Sequence, residues 1–93
     1  MHKYFHTGEI NFKVADKDAA LADVQKTFGD GKQDTLDGVT VEYPDWWFNV
    51  RPSNTEPLLR LTLEGDTAAQ RDAGFERVLQ LLSRYGERAT GGH

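Results

Sequence analysis

The sequence predicts an α+β two-layer sandwich, a four-stranded and mainly antiparallel sheet with two helices on one face. Three observations predict it. Four segments alternate apolar with polar residues, the period of a half-buried strand. Two others carry apolar stripes at helical spacing. The elements run strand, helix, three strands, helix, and the short links between the last three strands make them antiparallel neighbours. Each element has a single apolar face, so the simplest burial puts both helices on the same side of the sheet.

The first strand is Ile10, Phe12 and Val14 alternating with Asn11 and Lys13. Asp16 or Asp18 then caps a helix whose stripe is Ala20, Leu21, Val24 and Phe28, with Gly29 and Gly31 as its stop. After a turn at Asp37-Gly38, Val39, Val41 and Tyr43 alternate with Thr40 and Glu42. Pro44-Asp45 folds the chain back into Trp46, Phe48 and Val50, alternating with Trp47, Asn49 and Arg51. Two prolines bracket residues 52–57 and keep that stretch out of a central strand. Leu59, Leu61 and Leu63 form the fourth strand. Asp66 or Thr67 caps the last helix, where Phe75, Val78, Leu79, Leu82 and Tyr85 share a face and Gly86 ends it. On this register the sheet's other face carries Asn11, Lys13, Thr40, Glu42, Trp47, Asn49 and Arg60.

Size and composition set the bounds. The 93 residues fit a single domain (1–93, ordered core about 8–88), with glycine-rich, polar residues at the C-terminal end. A net charge of −4 provides no basic field for nucleic acid or anionic lipid. Trp47 on an open sheet could stack a base, but an RNA-reading sheet adds basic residues and more aromatics, so a domain contact is favoured. Cysteine is absent, which excludes disulfides, Cys-based zinc sites and thiol catalysis, and a reducing, cytoplasmic setting is expected. No apolar run approaches the about 20 residues of a membrane helix. His2, His6 and His93 lie in the tails and lack the rigid shell of a structural metal site. The scattered aspartates read as caps and solvated charge.

The chemistry is concentrated in Arg51-Pro52-Ser53-Asn54-Thr55-Glu56-Pro57. Arg51, Ser53, Asn54 and Thr55 all donate hydrogen bonds, and a tight loop can turn its backbone N–H groups inward as an anion nest. Arg51 adds a planar fork suited to two phosphate oxygens. The prolines limit the freedom lost on binding. Glu56 would repel a phosphate, so it is expected to point away, toward Arg51 or Arg60, and to shape the loop. The plainer alternative is a polar turn with Arg51 in a surface ion pair. Ser53 lacks the Gly-x-Ser-x-Gly setting and the histidine of a hydrolase nucleophile.

The same residues, followed by Leu58-Leu59-Arg60-Leu61, resemble the phosphate-binding loop of the α-D-phosphohexomutases, Arg-x-Ser-Gly/Asn-Thr-Glu-Pro before an apolar strand. Leu36-Asp37-Gly38-Val39-Thr40-Val41, Asp45-Trp46-Trp47-Phe48-Asn49-Val50 and Gly8-Glu9-Ile10-Asn11-Phe12 look like their counterparts in the phosphomannomutase/phosphoglucomutase branch. The resemblance spans roughly residues 4–88. It implies a C-terminal fourth domain, with a TATA-binding-protein-like fold, excised from a larger enzyme. Such a domain holds the non-reacting phosphate of a hexose phosphate or hexose 1,6-bisphosphate. It implies Arg51, Ser53, Asn54 and Thr55 as phosphate contacts, with Pro52, Glu56 and Pro57 shaping the loop.

The family's Thr-Ala-Ser-His-Asn-Pro serine setting, its Asp-Gly-Asp-Gly-Asp-Arg metal loop and its Gly-Glu-Met-Ser sugar loop are not in this chain. Magnesium and phosphoserine are therefore expected in other domains of the parent, which are also this domain's partners. The chain by itself is expected to be inert, with no catalytic or metal-binding residue of its own. The competing class is a small non-catalytic regulatory or protein-interaction module of the same architecture.

Overall fold

The computed structural model describes residues 5–53 and 56–88. The element order is β1 (Phe5–His6), β2 (Ile10–Val14), α1 (Lys17–Thr27), β3 (Lys32–Asp34), β4 (Val39–Glu42), β5 (Trp46–Pro52), β6 (Leu58–Gly65), α2 (Ala68–Leu82) and β7 (Gly86–Arg88). The α+β class holds, and all strand pairs are antiparallel. The sheet is larger than the four strands expected. Among the described residues it has seven, in the order β3-β4-β5-β6-β2-β7, with β1 also pairing β6. The three additional strands, β1, β3 and β7, hold two or three residues each, too few to establish an alternation.

Period two on the four long strands places Phe12, Val14, Val39, Val41, Phe48, Val50, Leu59, Leu61 and Leu63 in the core. Ala20 and Val24 of α1 and Val78, Leu81 and Leu82 of α2 complete it from the helical layer. Asp16 caps α1 by accepting from the Ala19 N–H at 3.0 Å, and Thr67 caps α2 by accepting from Gln70 at 3.1 Å. Phe28, the last residue of the expected stripe, is the C-cap of α1 and is buried in the core with Ala20 and Val24. Trp46 is half-buried on the helical side, stacked on Tyr43 and Phe48. Trp47 faces outward and donates from Nε1 to Glu64 at 3.3 Å.

Helix α2 stops at Leu82, four residues before the expected Gly86. Tyr85 nonetheless packs on the core from the following turn and donates to Asp23 Oδ2 at 2.6 Å. Gly86 has a different task. A Cβ there would stand 1.7 Å from the Lys13 carbonyl oxygen, so only glycine lets β7 lie against β2.

Candidate functional site

Strands β5 and β6 are the centre of the sheet, and the segment joining them is the motif singled out in the sequence. Arg51 is the penultimate residue of β5, and Pro52 its last, paired with Leu59. A proline is tolerated there because the ladder is ending. Ser53 is 6% exposed, and its N–H donates to the Leu58 carbonyl at 2.9 Å, closing the loop at its neck. The Leu58 N–H donates to the Glu56 carbonyl at 2.7 Å, a γ-turn centred on Pro57 whose fixed φ suits it. The Pro57 carbonyl accepts from the Val14 N–H at 2.9 Å, tying the loop to β2. Asn54 and Thr55, both expected phosphate contacts, lie outside the described residues.

Arg51 and Arg60 are directly opposite in the β5–β6 register, on the face away from the helices. With Leu36, Asp37, Gly38, Pro52 and Ser53 they line an open concavity of about 490 Å³. The structure thus gathers Arg51, Pro52 and Ser53 on one surface and adds residues the motif does not contain. Asp37 Oδ2 accepts from Arg51 Nη1 at 3.2 Å, the two side chains being 77% and 44% exposed. This replaces the expected pairing of Glu56 with an arginine. Glu56 is exposed and makes no ion pair among the described residues, and its backbone carbonyl is held from helix α1.

Lys17, at the first position of α1, draws it there. Its Nζ donates to the Ser53 carbonyl at 3.0 Å and to the Glu56 carbonyl at 3.2 Å. One cation therefore holds two loop carbonyls from the helical side, while the concavity opens on the opposite side of the sheet. Sequence reading missed Lys17, since 36 residues separate it from Ser53 and no local pattern links them.

The β3–β4 turn forms the other wall. Asn49 Nδ2 donates to the Asp37 carbonyl and to Thr40 Oγ1, each at 2.9 Å, fixing the turn over β5. Gly38 has φ +72°, and a Cβ there would lie 2.4 Å from the Val50 carbonyl and 2.6 Å from Arg51 Cβ. Glycine is required both by conformation and by its closeness to Arg51. The Asp37-Gly38 pair was legible as a turn; its place beside Arg51 was not. Among the described residues no group of three His, Asp or Glu side chains is arranged to hold a metal ion.

With donors, two guanidinium groups and a pinned loop around one concavity, the surface has the chemistry to hold a small oxyanion. Comparison with known proteins agrees with the motif. Residues 9–81 match the family described as phosphoglucomutase/phosphomannomutase, C-terminal domain. A phosphomannomutase of Methanocaldococcus jannaschii is 43% identical over 82 residues, which cover 88% of this chain and 18% of that protein. A Xanthomonas campestris protein named phosphohexose mutases is 50% identical over 72 residues, covering 73% of this chain and 16% of its own length. Among solved structures, a phosphoglucomutase/phosphomannomutase family protein from Burkholderia thailandensis superposes with a TM-score of 0.65 at 27% identity, over 92% of this chain and 19% of that one. The chain therefore spans under a fifth of the length of these relatives. On the extent of the family match and the level of identity, this chain belongs to the phosphoglucomutase/phosphomannomutase C-terminal domain family.

Proposed function

We propose that this is the phosphate-holding C-terminal domain of a larger phosphomannomutase or phosphoglucomutase, an enzyme interconverting hexose 1- and 6-phosphates. The observation that carries the reading is the shared concavity of Arg51, Ser53 and Arg60 at the mouth of the loop that bears the motif. Arg51 presents its fork to two phosphate oxygens, while Ser53, Asn54 and Thr55 supply short neutral donors. Pro52, Glu56 and Pro57 hold the loop's shape, so little freedom remains to be lost on binding.

These groups recognise phosphate and not sugar. That suits a reaction in which either end of a bisphosphorylated intermediate must be gripped in turn. Transfer of the phosphoryl group itself needs magnesium and a phosphoserine, which belong to other domains of the parent. The part proposed for this chain in that reaction is positioning of the phosphosugar. Its partners are then the phosphosugar and those domains, and its setting the cytoplasm. No helix among the described residues is long and apolar enough to cross a membrane.

The test is a titration of isotope-labelled protein with glucose 1-phosphate, mannose 6-phosphate and inorganic phosphate, followed by amide shifts. Shifts should centre on residues 51–55 for all three ligands, with affinities on the order of millimolar because only a few charge-assisted bonds are made. Arg51→Ala should abolish the shifts and leave the remaining spectrum folded. Shifts that persist in that variant would remove Arg51 from the site.

A further inference from the structure

We propose that Asp37-Gly38 is a modification site, an aspartyl-glycyl bond that rearranges to isoaspartate through a succinimide and so alters the wall of the concavity beside Arg51. The rearrangement stands apart from the phosphate-holding reading; its effect on binding rests on that reading.

The chemistry needs only water. The Gly38 nitrogen attacks the side-chain carboxyl carbon of Asp37 in its acid form. A C–N bond forms, and the carboxyl hydroxyl leaves as water with the amide proton. Water then opens the ring at the former main-chain carbonyl and restores the mass. The main chain now runs through the Asp37 β-carbon, one methylene longer, and the old carbonyl carbon is a free carboxylate. Glycine permits the attack because no Cβ obstructs its nitrogen.

The sequence holds two Asp-Gly pairs, Asp30-Gly31 and Asp37-Gly38, and the fold treats them differently. The Gly31 N–H donates to the Phe28 carbonyl at 3.1 Å, and Asp30 Oδ1 accepts from the Tyr43 hydroxyl at 2.7 Å. Attacking nitrogen and target carboxyl are both held. The Gly38 N–H donates to no group among the described residues. The Asp37 carboxylate is 77% exposed and has one contact, Arg51 Nη1 at 3.2 Å. An exposed pair of that kind contributes little in water. Ring closure also needs freedom about the Asp37 Cα–C bond. The restraint there is one neutral hydrogen bond, from Asn49 Nδ2 to the Asp37 carbonyl at 2.9 Å.

The turn imposes this reactive pair on the chain. Gly38 sits at φ +72°, and a Cβ there would lie 2.4 Å from the Val50 carbonyl and 2.6 Å from Arg51 Cβ. The same closeness makes the product disruptive. A longer main chain has no room against β5, and Asn49 loses its main-chain acceptor. Leu36, Asp37 and Gly38, which line the concavity, then shift away from Arg51.

The experiment ages the chain for several weeks near neutral pH at body temperature, with a synthetic peptide of residues 34–41 as the unrestrained reference. Peptide mapping by electron-transfer fragmentation distinguishes isoaspartate from aspartate. Isoaspartate should accumulate at Asp37, more slowly than in the peptide, and not at Asp30. Asn49→Ala and Arg51→Ala should each speed it about two- to fivefold, the scale of one neutral hydrogen bond or one exposed ion pair. Asp37→Glu, which must close a slower six-membered ring, should stay intact. Conversion at Asp30 ahead of Asp37, or none at Asp37 while the peptide converts, overturns the site, and both are read on the wild type whether or not the variants fold. The aged form, separated by chromatography, should bind inorganic phosphate about tenfold more weakly than fresh chain in an amide-shift titration. Equal affinity overturns the link to the concavity. A fresh chain with no shift near residues 51–53 defeats the loop reading and leaves the mapped rearrangement standing.

Discussion

Lys17 shows how much of the site rests on a residue outside the motif. Its ammonium holds the carbonyls of Ser53 and Glu56 at 3.0 and 3.2 Å from the helical side of the sheet. Anchoring both carbonyls leaves the loop less freedom to lose on binding. Replacing Lys17 with Met keeps the aliphatic stem and removes both bonds. Phosphate affinity in that variant should fall about three- to tenfold, the scale of losing charge-assisted anchoring. Lys17→Arg should restore part of it. Unchanged affinity in Lys17→Met, measured by the same titration, would make the lysine a surface residue with no bearing on the loop. The residues that chemistry alone could single out were Arg51, Ser53, Asn54 and Thr55, because one guanidinium, two hydroxyls and an amide side chain within five residues is an unusual composition. Lys17, Asp37 and Gly38 carry no such mark. Each is an ordinary cap-region or turn residue until the fold sets it beside the loop.

Among the elements, legibility followed length. Strands β2, β4, β5 and β6 alternate over at least four residues and were readable, as were both helix stripes; the caps were narrowed to Asp16 or Asp18 and to Asp66 or Thr67, of which the fold uses Asp16 and Thr67. Strands β1, β3 and β7 were not, because their pairing comes from neighbours already in place rather than from a pattern of their own. β7 gives an element-scale prediction. Gly86→Ala would drive a methyl into the Lys13 backbone, which cannot yield as a flexible side chain would. As an edge strand of three residues, β7 should peel from β2 and leave the centre of the sheet intact. Hydrogen exchange should show protection lost in β7 and retained in β5 and β6, with global stability lower by about 1–2 kcal/mol. Full protection of β7 in the variant would contradict the close approach.

For the whole molecule, two tyrosines couple stability to pH. Tyr43 is stacked on Trp46 and donates to Asp30 Oδ1 at 2.7 Å. Burial first, and the Asp30 carboxylate second, push its phenol from the usual 10.0 up to about 12. Tyr85 is raised in the same direction, chiefly by its hydrogen bond to Asp23, and that bond holds the Asp23 carboxyl below its ordinary value. Folding thus favours the protonated phenols. Their contribution is fully present below the unfolded phenol pKa and is lost as pH rises through the folded one. Denaturant midpoints should therefore fall between about pH 10 and about pH 12, with absorbance titration showing one phenol ionising late. Asp23 acts at the acid end. Its contribution is present above the ordinary carboxylate pKa and is lost as pH falls through its lowered value. A midpoint unchanged across the alkaline range would show that Tyr43 is not held as described.

Taken alone, the linear chain determined the α+β class, the four long strands, both helices and the family motif at residues 51–57. Periodicity and local composition are short-range properties, and each of those features is written within a few consecutive residues. Only the tertiary structure decided that β2 inserts beside β6, that Arg60 faces Arg51 across a strand pair, and that Lys17 and Asp37 close on the loop from opposite layers. Those are relations between distant segments. They are settled by which apolar faces can be buried together and by a register that sends every second side chain to the same side.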